Sequence, residues 1–400
     1  MKIAIFSDTF YPEISGITDS ALPIAIELAK RGNKIRFYVP SYSEKNYRIV
    51  GQPKENIELG PNIEVHRLFS LPFPSGTHQA RFVLPSFWIF LFVKKFKPDI
   101  IQTHLFAGVG LEALMLGKFN KIPIIGTDHT AISEFIRYSP IKSKWFKNLV
   151  FRYVSWFYNK CDFVTAPSPS VILEMENHGF KNKSKVISNP VDTLVFKPCL
   201  KQNKKELKSE FGFSDNTIIY AGRLAPEKNI DVLIHALLIV RKKYPNTILV
   251  LAGHGSAYKD LKDLAKKLDL ESNVKFLGTV DKMKLSKLYQ ASEIFVMSSM
   301  SEVQSMSLLQ AMACGLPSIV VRARSHSEYY TNEENGFLIK PNDINEFANK
   351  IILLFDKPTL RKKLGDNALL LSKEISVPKI ADLWEKTYHD VINKKIESTG

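Results

Sequence analysis

Short apolar runs alternate with longer stretches of helical period along most of this chain. The runs Lys2–Ser7, Lys34–Pro40, Ile100–Thr103, Ile122–Thr127 and Phe163–Ala166 predict buried strands, and Ser20–Arg31 predicts a helix between the first two. The segment Ile187–Lys204, which contains Asn189-Pro190-Val191-Asp192, interrupts the alternation and predicts a linker. A second series of expected strands follows at Thr217–Tyr220, Thr247–Leu251, Val274–Phe276, Ile294–Val296 and Ser318–Val321. Helical patterns at Asn229–Lys243, Tyr258–Leu268 and Ser305–Cys314 separate them. Strands alternating with helices imply βαβ units, hence an α/β chain with two doubly wound parallel sheets. The expected domains are 1–195 and 196–377, with a C-terminal helix in 378–400 packing back on the first domain. Open α/β sheets bind ligands at the carboxyl ends of their strands, so a cleft between two facing sheets is the expected site.

Composition alters this picture at three points. The three cysteines, Cys161, Cys199 and Cys314, form no close pair, which argues against a disulfide framework or zinc site and points to a reducing compartment. The first residues read as a strand rather than a signal peptide, and the apolar stretch Phe82–Val93 holds Pro85 and is too short to span a bilayer, which needs about 20 residues. The formal net charge of +15 points to an anionic partner: nucleic acid, anionic membrane or phosphorylated substrate.

Two segments carry candidate chemistry. In Tyr220-Ala221-Gly222-Arg223-Leu224-Ala225-Pro226-Glu227-Lys228-Asn229 a strand ends at Gly222, and Arg223 and Lys228 then precede a helix. Two cations beside a helix N-terminus suit a diphosphate; the plainer reading is two solvated surface charges. In Ser299–Pro317, Glu302 precedes a helix with Met306, Leu309, Met312 and Ala313 at core spacing. Its carboxylate suits sugar hydroxyls and the backbone N–H groups of Gln304, Ser305 and Met306 suit phosphate, whereas the plainer reading is an acidic residue complementing a helix dipole.

With these motifs the sequence resembles the family 4 glycosyltransferases, retaining and metal-independent enzymes of the GT-B fold, in which two Rossmann-like domains face each other across a cleft. The resemblance covers nearly the whole chain. It includes the G-R-L-x-x-E-K-N loop, Phe276-Leu277-Gly278, Gly315-Leu316-Pro317, Asn335-Gly336-Phe337-Leu338 and Asn189-Pro190-Val191-Asp192. It implies Arg223 and Lys228 on the donor diphosphate, Glu302 on the donor sugar and the Leu277 backbone on the base. Two departures stand out: Gln310 occupies the place of the family's second glutamate, which binds the ribose, and Val303-Gln304-Ser305 replaces Gly-Phe-Gly. A Gln amide still bonds a ribose hydroxyl but without the charge-assisted contact.

In the N-terminal half, Gly16 stands before the first helix in a loop similar to the family's glycine loop, where the backbone approaches phosphate. His104 and His129 each follow a strand. Either can be a satisfied structural histidine; His129 matches the family histidine near the transferred sugar. There is no Asp-x-Asp pair and no cluster at metal spacing, so no metal and no cofactor beyond a nucleotide diphosphate sugar is expected. The resemblance implies a retaining transfer in which the leaving phosphate takes the acceptor proton.

The charge distribution bears on the acceptor. Residues 65–98 contain no acidic residue, while Arg67, Arg81, Lys94, Lys95 and Lys97 are set among aromatics that include Trp88. Residues 137–160 likewise hold no acidic residue, and Lys144, Lys147 and Arg152 lie among Trp145, Tyr153, Trp156 and Phe157. Such stretches suit an anionic lipid surface; the alternative is core aromatics with basic edges. The expected membrane or acceptor residues are therefore Trp88, Lys94, Lys95, Lys144, Trp145, Lys147 and Arg152. This pattern resembles the glycolipid-forming branch, including glucosyl-diacylglycerol synthases and phosphatidylinositol mannosyltransferases. The implied activity is hexose transfer, with a UDP-sugar favoured, to a membrane lipid at the inner face of the cell membrane. Alternatives are a soluble glycosyltransferase with a small or polysaccharide acceptor and an inactive nucleotide-sugar-binding protein; nucleic-acid binding lacks any supporting motif.

Overall fold

The computed structural model describes the chain except residues 14, 50–53, 55–57, 74–78, 85–88, 131–132, 134–142, 324–325, 330 and 400. It divides into two compact units, Met1–Pro190 with Val377–Gly400, and Val191–Ser376.

The first unit is built on a parallel sheet of β1 (Lys2–Ser7), β2 (Lys34–Pro40), β3 (Ile63–Leu68), β6 (Ile100–His104), β7 (Ile124–Thr127), β8 (Phe163–Ala166) and β9 (Ser184–Val186). Their order is β3-β2-β1-β6-β7-β8-β9, and the short antiparallel pair β4 (Leu71–Pro72) and β5 (Arg81–Phe82) stands apart. The reversal between β1 and β6 is the switch point of a doubly wound sheet, where ligands collect. Residues of β1, β6 and β7 are buried on both faces, which explains their unbroken apolar runs. The edge strand β3 is half-buried and alternates apolar with polar residues, so its run was too broken to be foreseen.

The second unit repeats the plan with β10 (Thr217–Ala221), β11 (Ile248–Ala252), β12 (Val274–Gly278), β13 (Ile294–Met297), β14 (Ser318–Val321) and β15 (Gly336–Ile339), ordered β12-β11-β10-β13-β14-β15. Helices Ile230–Val240 and Ile344–Asp356 close one apolar layer, and Met306–Ala313 belongs to the other.

Three boundaries differ from expectation. The first helix begins at Gly16 rather than Ser20, because Ser15 caps it: its Oγ accepts from the Ile17 amide at 3.3 Å. The second unit begins at Val191, five residues before the expected boundary, since Val191 and Phe196 are buried in its core and the Val191 amide bonds the Ile375 carbonyl at 2.9 Å. The expected linker also holds the start of a helix, Lys201–Phe211, whose charged surface hid its period.

The last helix, Val377–Thr399, packs in the first unit. Arg31 pairs with Asp382 at 2.6 Å, Lys395 pairs with Asp162 at 2.6 Å, and the Tyr388 hydroxyl bonds the Gln102 side chain. Gln102 in turn donates to Thr127 Oγ1 at 3.1 Å, so a buried polar chain ties this helix to the ends of β6 and β7.

Candidate active site

In the second unit the carboxyl end of β10 is held by its neighbours. The Gly222 amide bonds the Ala252 carbonyl at 3.0 Å, and the Leu224 amide bonds the His254 carbonyl at 3.1 Å. This close approach requires glycine on the facing loop: a Cβ at Gly253 would lie 1.8 Å from the Gly222 carbonyl oxygen. Gly222 itself is exposed with φ of 147°, a conformation glycine adopts without strain.

The loop so anchored carries Arg223 and Lys228. Arg223 is 42% exposed and pairs with Glu227 at 2.7 Å. Lys228 pairs with Glu302 at 2.5 Å, and both side chains are largely buried. The Lys228 carbonyl accepts from Ser298 Oγ at 2.9 Å, which joins the loop to the end of β13. Burial alone would raise the Glu302 carboxyl, but the Lys228 ammonium beside it outweighs burial and holds it below the ordinary glutamate range. The buried Tyr220 hydroxyl, which donates to the Arg223 carbonyl at 3.1 Å, feels Glu302, Arg223 and Glu227 together. Arg223, Lys228 and Glu302 therefore share one locality. The role of Glu227 was not foreseen, although its position four residues after Arg223 in the same loop is a visible signal.

Ser305 caps the helix Met306–Ala313, its Oγ accepting from the Leu308 amide at 3.3 Å. Gln304 and Ser305 are buried before this helix, Met306 begins it half-buried, and Gln310 is buried within it. Leu277 lies at a β-bulge on the edge strand: the register passes from Leu251↔Phe276 to Ala252↔Gly278 and leaves Leu277 unmatched. Bulges of this kind re-aim a strand's backbone and side chains next to ligand sites. His326, also unforeseen, is buried near this site; its Nδ1 bonds the Val321 carbonyl at 2.9 Å, and Glu302 and Lys228 both act on its charge.

In the first unit, Gly16 is exposed at the start of its helix. Asp8, just past β1, accepts the Val109 amide at 3.0 Å at the N-terminus of helix Gly108–Asn120. Burial outweighs that hydrogen bond and pushes its carboxyl up to about 7. At the ends of β6 and β7 the two histidines meet, with His104 Nδ1 2.7 Å from His129 Nε2. Burial pushes the His129 imidazole down to about 4, and burial together with the neighbouring His129 holds His104 well below the ordinary histidine range. Among the described residues no His/Cys/Asp/Glu group capable of holding a metal occurs.

The residues expected at a lipid surface divide into two sets. On helix Lys144–Lys160, Trp145, Leu149 and Trp156 are 73%, 50% and 47% exposed, beside exposed Lys144, Lys147 and Arg152. On the same helix Phe151, Phe157 and Tyr158 are buried, so core packing accounts for part of the aromatic content. Lys94 and Lys95 are exposed on helix Ile89–Phe96, while Trp88 lies outside the described residues. Among the described residues no helix is long and apolar enough to cross a membrane.

Comparison with known proteins gives concordant matches. A family model described as glycosyl transferases group 1 matches residues 202–370, and one described as glycosyltransferase family 4 matches residues 14–194. Alpha-monoglucosyldiacylglycerol synthase of Streptococcus pneumoniae is 28% identical over 337 residues, covering 83% of this chain and 72% of that protein. The enzyme of the same name from Acholeplasma laidlawii is 24% identical over 410 residues, covering 98% of each chain. Among solved structures, Anabaena HepE in complex with UDP-glucose aligns with a TM-score of 0.76 at 20% identity, covering 98% of this chain and 100% of that one. Sucrose-phosphate synthase from Thermosynechococcus elongatus aligns with a TM-score of 0.78 at 18% identity, covering 98% and 99%.

Proposed function

The chain belongs to the family 4 glycosyltransferases of the GT-B fold, and from that premise we propose that it moves a hexose from a UDP-sugar to a hydroxyl of a membrane lipid with retention. The observation that carries the reading is the Lys228–Glu302 pair at 2.5 Å beside the anchored Arg223 loop. An ammonium and a guanidinium next to a carboxylate match a ligand that is anionic at its diphosphate and rich in hydroxyls at its sugar. Lys228 and Arg223 take the diphosphate, Glu302 accepts from sugar hydroxyls, and the Gln304–Met306 backbone supplies further N–H donors. The bulged backbone at Leu277 meets the base, and Gln310 serves the ribose. Gly222 and Gly16 let backbone approach the phosphates, and His129 meets the sugar.

In the transfer the bond from the anomeric carbon to the diphosphate oxygen breaks and the bond to the acceptor oxygen forms on the same face. The acceptor proton passes to the departing phosphate. No metal is required, because fixed cations and backbone dipoles stabilise the leaving group. The lipid acceptor and a peripheral site on the inner face of the cell membrane are supported by the basic, tryptophan-bearing face of helix Lys144–Lys160 and by the names of the two synthase relatives.

The test supplies labelled UDP-glucose and vesicles of diacylglycerol with an anionic phospholipid. Label in the lipid fraction that disappears with Arg223→Ala is the expected result. Transfer only to soluble sugars would replace the lipid acceptor with a soluble one, and donor binding with neither transfer nor hydrolysis would make the protein a nucleotide-sugar binder.

A further inference from the structure

We infer that His104 is a positioning residue that fixes His129 as the Nδ1–H tautomer, so that His129 meets its ligand as a hydrogen-bond donor rather than a base. The inference rests on the reading that His129 faces the transferred sugar, and it deepens that reading.

The strands set the geometry. In β6 and β7 the register pairs His104 with Thr127, so the two strand ends lie side by side and His129 follows two residues on. The His104 and His129 rings stand 26° apart in orientation, with centroids separated by 5.0 Å. Their facing nitrogens, Nδ1 of His104 and Nε2 of His129, lie 2.7 Å apart. Two nitrogens at that distance share one proton, and the pair is neutral because burial disfavours the charge on either ring.

The direction of that hydrogen bond follows from the remaining nitrogen of His104. His104 is 2% exposed, and among the described residues its Nε2 has no hydrogen-bond partner. A buried N–H without an acceptor is rarer than a buried acceptor without a donor, so Nε2 is the bare nitrogen and the proton sits on Nδ1. His104 Nδ1–H then donates to His129 Nε2. A neutral His129 whose Nε2 accepts carries its own proton on Nδ1. The lone pair that would serve a general base is thereby occupied, and the outward chemistry of His129 is donation to a hydroxyl or developing oxyanion. The buried chain from Tyr388 through Gln102 to Thr127 braces the same two strand ends.

Side-chain nitrogen spectra of the protein labelled with 15N-histidine read the tautomers directly. The expected result is His129 protonated at Nδ1 in the unaltered protein, and a mixture of tautomers in His104→Phe. His129 protonated at Nε2 in the unaltered protein, or an unchanged pattern in His104→Phe, would overturn the inference, and the first outcome needs no variant to fold. In transfer assays His104→Phe should lower kcat about tenfold, the worth of one misdirected hydrogen bond, with donor KM within about twofold; His104→Asn, whose amide can donate to Nε2, should recover most of the rate. If His129→Ala keeps full activity, the sugar-facing role of His129 fails. If His129→Ala is impaired while His104→Phe is not, only the positioning role fails.

Discussion

Removing the charge on Glu302 is the most informative perturbation, because it separates the Lys228–Glu302 pair from everything proposed about catalysis. The two side chains meet at 2.5 Å with 14% and 17% of their surfaces exposed. Truncating one partner of a fully buried pair costs about 3–5 kcal/mol, and the residual exposure here lowers the expected loss to about 2–3 kcal/mol for Lys228→Met or Glu302→Gln alone. The double variant leaves no unpaired charge, so its loss should fall short of the sum by about 2 kcal/mol. For a unit of this size that coupling is about 4–8 °C in Tm. Urea and thermal unfolding of the four proteins at neutral pH measure it without any substrate. The pH dependence has a definite sign: because the pair depresses the folded-state pKa of Glu302, its coupling is present above the ordinary glutamate range and is lost as pH falls through the depressed value. Additivity within about 0.5 kcal/mol at neutral pH would show that the pair does not form, and the electrostatic argument for the site would go with it.

Three further outcomes follow from other parts of the chain. Gly253→Ala places a Cβ 1.8 Å from the Gly222 carbonyl at a φ of +150°, so a loss of about 3 kcal/mol or more in urea unfolding is expected, and a neutral effect would refute the close approach of the two loops. Asp8→Asn should gain stability relative to the parent by about 3–4 kcal/mol as pH rises from about 4 to 7. The buried Asp8 carboxyl holds its proton up to about 7, whereas the unfolded chain releases it near the ordinary aspartate value of 3.8, so the parent alone loses stability over that window; a pH-independent difference would contradict the burial. Reversing Lys144, Lys147 and Arg152 to Glu should weaken binding to anionic vesicles at low salt at least 100-fold, at about 1 kcal/mol for each basic residue lost, and flotation that is unchanged would remove this face from the membrane contact.

The strands that were legible in sequence are those buried on both faces, such as Ile100–His104 and Thr217–Ala221, since only a largely unbroken apolar run satisfies that environment. The half-buried β3, the three-residue β9 and the polar helix Lys201–Phe211 have no such constraint and left no clear pattern. Arg223, Lys228 and Glu302 were recognisable because their loop and helix spacing is itself the motif. Their actual partners were not: Arg223 is engaged by Glu227 and Lys228 by Glu302 across 74 residues of sequence. On the aromatic helix Phe157 and Tyr158 lie in the core whereas Trp145 and Trp156 lie at the surface, a division that the run of aromatics does not reveal.

Local order in the chain thus determined the two α/β units and the residue types at their strand ends, because hydrophobic period and turn chemistry act over a few neighbouring residues. The contact between His104 and His129 was decided only by tertiary structure, when parallel pairing of β6 with β7 brought together residues 25 apart. The same holds for the carboxyl of Asp8, whose proton affinity is set by burial against a distant helix. Charge state, tautomer and ion pairing depend on what surrounds a group in space, and a linear pattern carries no record of that surrounding.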